Sequence, residues 1–304
     1  MRFLPFIAAV LLPVGFASAQ APSDVPRNPT ISVETSLVVL PITVVDQRGA
    51  VVGGLTAERF KVYDNGELQT VEFFAPNDSP ATVGLVIDCS SSMSIWRQQL
   101  TAAATAFAEI SHPRDELFTM NFNETVWPGF VQPFVSAQDI EELRTALALA
   151  PAAGMTALYD ALNRALEHAQ HGTHERRFLI VVSDGGDNAS THSLHEVTNY
   201  AARTGTVVYS VILADRDDHD ARPGVLKALA RATGGQSFAP TADQTMTAIF
   251  ARIAEEIRGG YTVGFAPRET SNERFRTIRI TVHDPEKRRL IARTRRGYYA
   301  STAR

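Results

Sequence analysis

The stretch Thr82-Val83-Gly84-Leu85-Val86-Ile87-Asp88-Cys89-Ser90-Ser91-Ser92-Met93 decides the fold. Thr82 to Ile87 is a short, continuous apolar run, the pattern of a strand buried on both faces. A helix is expected from about Ile95 to Ile110. A second run of the same kind, Arg177 to Ser183 (RFLIVVS), also ends in a polar turn, Asp184-Gly185. Two such strands, each opening into a polar loop, belong to a parallel sheet covered on both sides.

The surrounding segments fit this reading. Glu116 to Phe122 and Val126 to Phe134 read as strands, and Ala137 to Ala150 as a helix. Thr156 to Gln170 is an amphipathic helix with Leu158, Leu162, Ala165 and Leu166 on one face. His192–Thr204, Val225–Thr233 and Asp243–Arg258 read as helices. Thr206–Leu213 and a short Gly235–Ala239 read as strands. Strands alternating with helices imply right-handed βαβ units. The expected architecture for residues 81–258 is α/β, a doubly wound, mostly parallel, Rossmann-like sheet.

The flanks change pattern. Leu37 to Val45 is rich in β-branched residues and reads as a strand, followed by a turn at Asp46–Gly49 and a short strand at Val51-Val52. Thr56 is placed to cap a helical turn over 57–59. Phe60–Tyr63 and Leu68–Phe74 form a hairpin around Asp64-Asn65-Gly66. After Gly259-Gly260, three segments alternate as antiparallel strands: Tyr261–Ala266, Phe275–His283 and Leu290–Tyr299. The last two are joined by a turn at Asp284–Lys287. Residues 37–80 and 259–304 are expected to pair into one β-sandwich, because a small isolated sheet is marginal.

Composition sets the remaining bounds. The 304 residues are 44% hydrophobic and 20% charged, enough for a sizeable core and unlike a disordered chain. A net charge of −4 gives no sign of a nucleic-acid partner. Arg2, the apolar Phe3–Phe16 and Ala17-Ser18-Ala19 form an export-signal pattern over residues 1–19. Residues 20–36, proline-bearing at first, read as a linker. No later segment offers the roughly 18 apolar residues of a membrane span. The expectation is therefore an exported chain, periplasmic or extracellular, with no transmembrane segment after signal removal. Cys89 is the only cysteine, so no intramolecular disulfide forms.

In open parallel sheets, ligands bind beyond the carboxyl ends of the strands. Asp88, Ser90 and Ser92 follow one such end, and Asp184 follows another. Thr156 opens a helix from the loop Gly154-Met155. These five residues supply two carboxylates and three hydroxyls, all oxygen donors, which suit a hard divalent cation better than zinc. Mg²⁺ is the first expectation, with Mn²⁺ and Ca²⁺ also compatible. Five candidates around an octahedral ion leave a position for water or a partner.

With these residues in order, the chain resembles the von Willebrand factor type A domain family. The D-x-S-x-S of Asp88–Ser92, Thr156 in GMTALYDAL and Asp184 in VVSDGGDNAS match its metal-ion-dependent adhesion site. The resemblance covers roughly residues 81–258. It implies that an exposed Asp or Glu of a protein partner completes the metal shell. The flanking VVDQRGAVVGGLTAERFKVYDNGELQTVEFF and RRGYYA resemble a group of exported bacterial proteins with a type A domain between such segments.

Competing readings carry less. Against a metal-dependent hydrolase, the aspartate-nucleophile phosphatase pattern needs a second aspartate where Ser90 stands, and no G-x-S-x-G elbow or glycine-rich phosphate loop is present. A metal that merely staples three loops would leave its open position unused. A binding module, not an enzyme, is the expectation. Cys89 reads as a small hydrophobe under the site. Asp187 is either a supporting acceptor or a turn residue, and Ser91 is placed to cap the next helix. His168, His171, His174, His192 and His195 read as solvated helix-end residues. The eleven Lys or Arg of 268–304 against four acids read as a solvated face, with a basic docking surface as the alternative.

Overall fold

The computed structural model describes residues 37–76, 79–149, 153–214, 220–267, 275–284, 286 and 289–300. The export-signal and linker segments, and Pro285 and Lys287 of the expected last turn, lie outside the described residues.

The central sheet is built from β5 (Thr82–Asp88), β6 (Glu116–Phe122), β7 (Val126–Pro128), β8 (Val135–Ser136), β9 (Arg177–Ser183), β10 (Val207–Ile212) and β11 (Ser237–Phe238). Its order is β11-β10-β9-β5-β6-β7, with β8 also on β6. β5 pairs in parallel with both β6 and β9, and only the short β7 and β8 run antiparallel. Successive side chains of a strand face opposite sides, and the two apolar clusters follow that rule. Val83, Leu85 and Ile87 of β5 and Phe178, Ile180 and Val182 of β9 join one cluster. That face is covered by α1 (Arg97–Ile110), α2 (Ile140–Leu149) and α6 (Met246–Arg258). Val86, Leu179 and Val181 join the other, under α3 (Leu158–Ala169), α4 (Leu194–Thr204) and α5 (Pro223–Thr233). Each fully buried aliphatic side chain contributes about 1.5–3 kcal/mol. Val83 to Ile87 of β5 and Phe178 to Val182 of β9 therefore carry no polar side chain, because both faces are covered.

The flanking strands form two further sheets. β1 (Val38–Val45), β4 (Phe73–Pro76), β12 (Tyr261–Phe265) and β14 (Ile291–Arg293) pair in the order β14-β1-β12-β4. β2 (Phe60–Asp64), β3 (Glu67–Gln69), β13 (Phe275–Val282) and β15 (Gly297–Tyr299) pair as β15-β13-β2-β3. Each sheet mixes strands from before and after the α/β portion. Leu40, Ile42, Phe60, Val62, Val263, Phe265 and Ile278 bury into one cluster drawn from both sheets. The described residues from 37 to 300 belong to one compact unit.

Several expected elements differ in detail. Leu68–Phe74 is not one strand: it divides into β3 and β4, which enter different sheets, with residues 70–72 crossing between them. Leu290–Tyr299 divides in the same way into β14 and β15. Its crossing is held by Arg296 N–H donating to the Ala232 carbonyl and by Arg295 donating to the Ala202 and Val39 carbonyls. Val51 makes only an isolated bridge to Val45. Val126–Phe134 is strand only at Val126–Pro128. Thr56 precedes a short 3₁₀ turn, Ala57–Arg59, with no side-chain cap bond to its backbone. Ser91 begins a 3₁₀ segment, Ser91–Trp96, whose N-cap position is Ser90. The Asn65-Gly66 hairpin stands as expected: φ of +48° and +86° at the two turn residues is the mirror-image turn that matches strand twist.

Candidate functional site

β5 is the switch point of the central sheet, with β6 on one side and β9 and β10 on the other. Asp88 ends β5 and is 4% exposed. Its Oδ1 accepts the Ser90 N–H at 2.9 Å, which turns the chain sharply outward. Its Oδ2 accepts the Ser183 hydroxyl at 2.7 Å, from the last residue of β9. Ser183 Oγ in turn accepts the Gly185 N–H at 3.0 Å, so the two strand ends share one hydrogen-bonded chain.

Asp184 follows directly and is 6% exposed. Its Oδ1 accepts the Gly186 N–H at 2.7 Å and its carbonyl accepts the Arg222 N–H. Gly185 has φ of +86°, and a Cβ there would lie 2.5 Å from the Arg222 carbonyl oxygen. The turn after Asp184 thus needs glycine for both conformation and space. Ser90 is buried and Ser92 exposed, and their hydroxyls lie 3.2 Å apart.

Thr156 reaches the same rim through its loop. Ala153 N–H donates to the Cys89 carbonyl, and Ala157 N–H to that of Asn123 at the end of β6. On its other side, Thr156 N–H donates to Asn188 Oδ1 at 2.8 Å. Its carbonyl accepts the N–H groups of Asn188 and Ala189. Direct bonds therefore join Asp88, Ser90 and Ser92, and the Ser183 hydroxyl links Asp88 to the Gly185 N–H, in the turn that carries Asp184. Thr156, nine-tenths buried, is tied to both loops by its backbone.

Electrostatics bear on what this rim holds. Burial raises the Asp88 carboxyl above its ordinary value, and the neighbouring Asp184 charge adds to the rise. Bonds from Ser183 and Ser90 oppose it. Among the described residues Asp88 is held by hydrogen bonds and has no basic partner. Two buried carboxylates with hydroxyls beside them fit a hard cation by the chemistry of the donor set. No group of three or more His, Cys, Asp or Glu converges among the described residues, so an all-carboxylate or imidazole site is not formed there.

Other residues singled out in the sequence have different roles. Cys89 is 2% exposed and burial pushes its thiol up to about 11. Asp187 accepts the Tyr159 N–H and the Ser190 hydroxyl, tying the Asp184 loop to the start of α3. His168 packs on Phe118 and Phe134 and bonds the Pro133 carbonyl. His174 bonds the Arg114 carbonyl, and His192 bonds Asp160 at 2.6 Å. Arg276 of the basic tail is buried against Asp64 at 2.8 Å, not on a solvated face.

In the sequence Asn123-Glu124-Thr125 matches only a glycosylation acceptor, and nothing there assigned Asn123 or Glu124 to this rim. Asn123 Nδ2 donates to the Ala153 carbonyl, and Glu124 accepts the Met155 N–H at 2.9 Å. Both follow a buried strand, β6, which is the signal that could have found them.

Fold and rim together define an open α/β domain with an oxygen-rich loop cluster at its switch point. A family model for the von Willebrand factor type A domain matches residues 83–252, more than half of the chain, and the chain belongs to that family. Among solved structures, von Willebrand factor type A from Catenulispora acidiphila is similar with a TM-score of 0.51 and 12% identity. It covers 90% of this chain and 76% of that one. Proximal thread matrix protein 1 from the mussel byssus has a TM-score of 0.50 and 16% identity, covering 64% of this chain and 50% of that one. Both likenesses are of fold. No curated protein matches the sequence.

Proposed function

We propose that Asp88, Ser90, Ser92, Thr156 and Asp184 hold a divalent cation, Mg²⁺ first, and that the chain binds a protein partner through it. The observation that carries this reading is the placing of two buried carboxylates at neighbouring strand ends, with the Ser92 hydroxyl on the exposed side. A bound ion would supply positive charge to both carboxylates and a coordination position for an Asp or Glu of the partner. Hydroxyl donors add no charge, so the ion keeps its attraction for that incoming carboxylate.

Binding fits these residues better than turnover. Ser90 and Ser92 bond each other, and Ser183 bonds Asp88; none of them bonds an imidazole among the described residues. The loops are already tied by Ala153–Cys89, Ala157–Asn123 and Asn188–Thr156 backbone bonds. A metal confined to stapling would therefore duplicate contacts the protein makes itself. The export-signal pattern of residues 1–19 places the chain outside the cytoplasm in this reading. No described helix is long and apolar enough to cross a membrane.

The test has two arms. Calorimetric titration with Mg²⁺, Mn²⁺ and Ca²⁺ should show one site in the wild type and none in Asp184→Ala. Affinity capture from the native envelope or medium should then recover a partner that EDTA and Asp88→Ala both release. A partner retained after both treatments would overturn the proposal.

A further inference from the structure

A second charged site lies where α5 and β11 meet the flanking sandwich. A cleft of about 600 Å³ opens there, within the size range of small-molecule sites. Lys227 and Arg231 stand one helical turn apart on α5, and Arg279 on β13 and Arg296 before β15 face the same space. No acidic side chain is among the described residues that line it. Gly235 packs on the Val208 carbonyl near the start of β10, so the cleft lies toward the end of the sheet away from the Asp88 rim.

These cations are not committed elsewhere. Among the described residues, the side chains of Lys227, Arg231 and Arg296 form no ion pair, and all three are exposed. Arg279 also lines the cleft and stacks on the Tyr63 ring at 4.1 Å, which restrains its guanidinium. By contrast, Arg293 in the same wall is neutralised by Glu256. The hydroxyl of Thr294, also in the wall, is buried without a hydrogen-bond partner. Like charges gathered in a concave space raise the local potential and attract counter-ions.

We propose that this cleft binds a compact anion carrying two or more phosphate groups. Three of the four uncommitted cations are arginines, whose forked donors match phosphate oxygens in pairs. A phosphate monoester group brings about −1.5 to −2 charge to one point. An extended acidic peptide places at most one charge per roughly 3.3 Å of chain, which spreads it beyond so small a space. The chemistry is common to a free polyphosphate and to a phosphorylated lipid headgroup.

The experiment uses the full chain, stripped with EDTA so that no metal site takes part, and titrates inorganic tripolyphosphate by calorimetry at low salt. One-site binding is expected. It should weaken about tenfold or more in K227E/R231E, and also in Arg279→Ala, with unchanged thermal melts. Binding should also fall steeply as salt rises. Vesicles carrying a bisphosphorylated inositol lipid form the second arm: capture lost in the same variants assigns a headgroup source, and binding of tripolyphosphate alone assigns a soluble one. Absence of binding in both arms, undiminished affinity in the variants, or preference for a hexaglutamate peptide would overturn the proposal. Asp88→Asn should bind tripolyphosphate as the wild type does, so this site and the metal site succeed or fail separately.

Discussion

Asp88 sits under two opposing demands, burial and charge. Its folded carboxyl is raised by desolvation first and by Asp184 as well, so the ionised form costs stability above the unfolded value. That cost is absent in acid and is fully present once pH passes the folded value. Asp88→Asn keeps an acceptor for the Ser90 N–H and a polar group toward Ser183 while removing the charge. In EDTA at neutral pH, Asp88→Asn should therefore melt higher than the wild type. If the proposed ion binds, the order should reverse in Mg²⁺, because only the wild type would gain a ligand of the folded state. Thermal melts of both proteins with and without Mg²⁺ check this; equal shifts in the two would contradict it. The residues of this rim were legible in the sequence because each follows a buried strand or opens a helix. Ser183 was not singled out, because a serine closing an apolar run carries no signal until the partner strand is known.

At the scale of elements, the loop after Asp184 is held by two capping devices. Ser193 caps α4 in a reciprocal box: its hydroxyl accepts the Glu196 N–H, and Glu196 accepts the Ser193 N–H at 2.7 Å. Ser193→Ala should cost about 1 kcal/mol by urea melting. Asp160 on α3 receives the N–H groups of Thr191 and His192 and the His192 ring. Burial alone would raise its carboxyl, but these bonds prevail and hold it below the ordinary value. The stability it contributes is thus present above the unfolded value and is lost as pH falls through the folded one. The stability difference between wild type and Asp160→Asn should be steady at neutral pH and vanish in acid; a difference that persists in acid would show that Asp160 acts without its charge. Element type was readable from period and length. Boundaries inside 68–74 and 290–299 were not, because a strand that leaves one sheet for another keeps its local alternation.

Across the whole molecule, the α/β portion and the sandwich are joined by buried charge. Glu256 near the end of α6 is 1% exposed, and its carboxylate accepts from Arg293 on β14 at 2.5 Å and from Arg252 at 3.4 Å. Arg293 also donates to Gln236. Removing one partner of such a buried pair leaves an uncompensated charge. Glu256→Ala should lower stability by about 3–5 kcal/mol, read by urea unfolding; a loss under about 1 kcal/mol would show that apolar packing alone joins the two parts. The arginines read in the sequence as a solvated face are partly this junction. Composition counted them, but only the fold showed which ones meet Glu256 and Asp64.

By itself, the order of apolar runs and polar loops determined an α/β sheet and the strand ends that bear oxygen donors, since period and burial are local properties of the chain. Which strand lies beside which was decided by the tertiary structure. Pairings such as β1 with β12 and β2 with β13 join residues more than two hundred positions apart. Their energy comes from hydrogen bonds and shared burial that exist only where both ends of the chain are brought together.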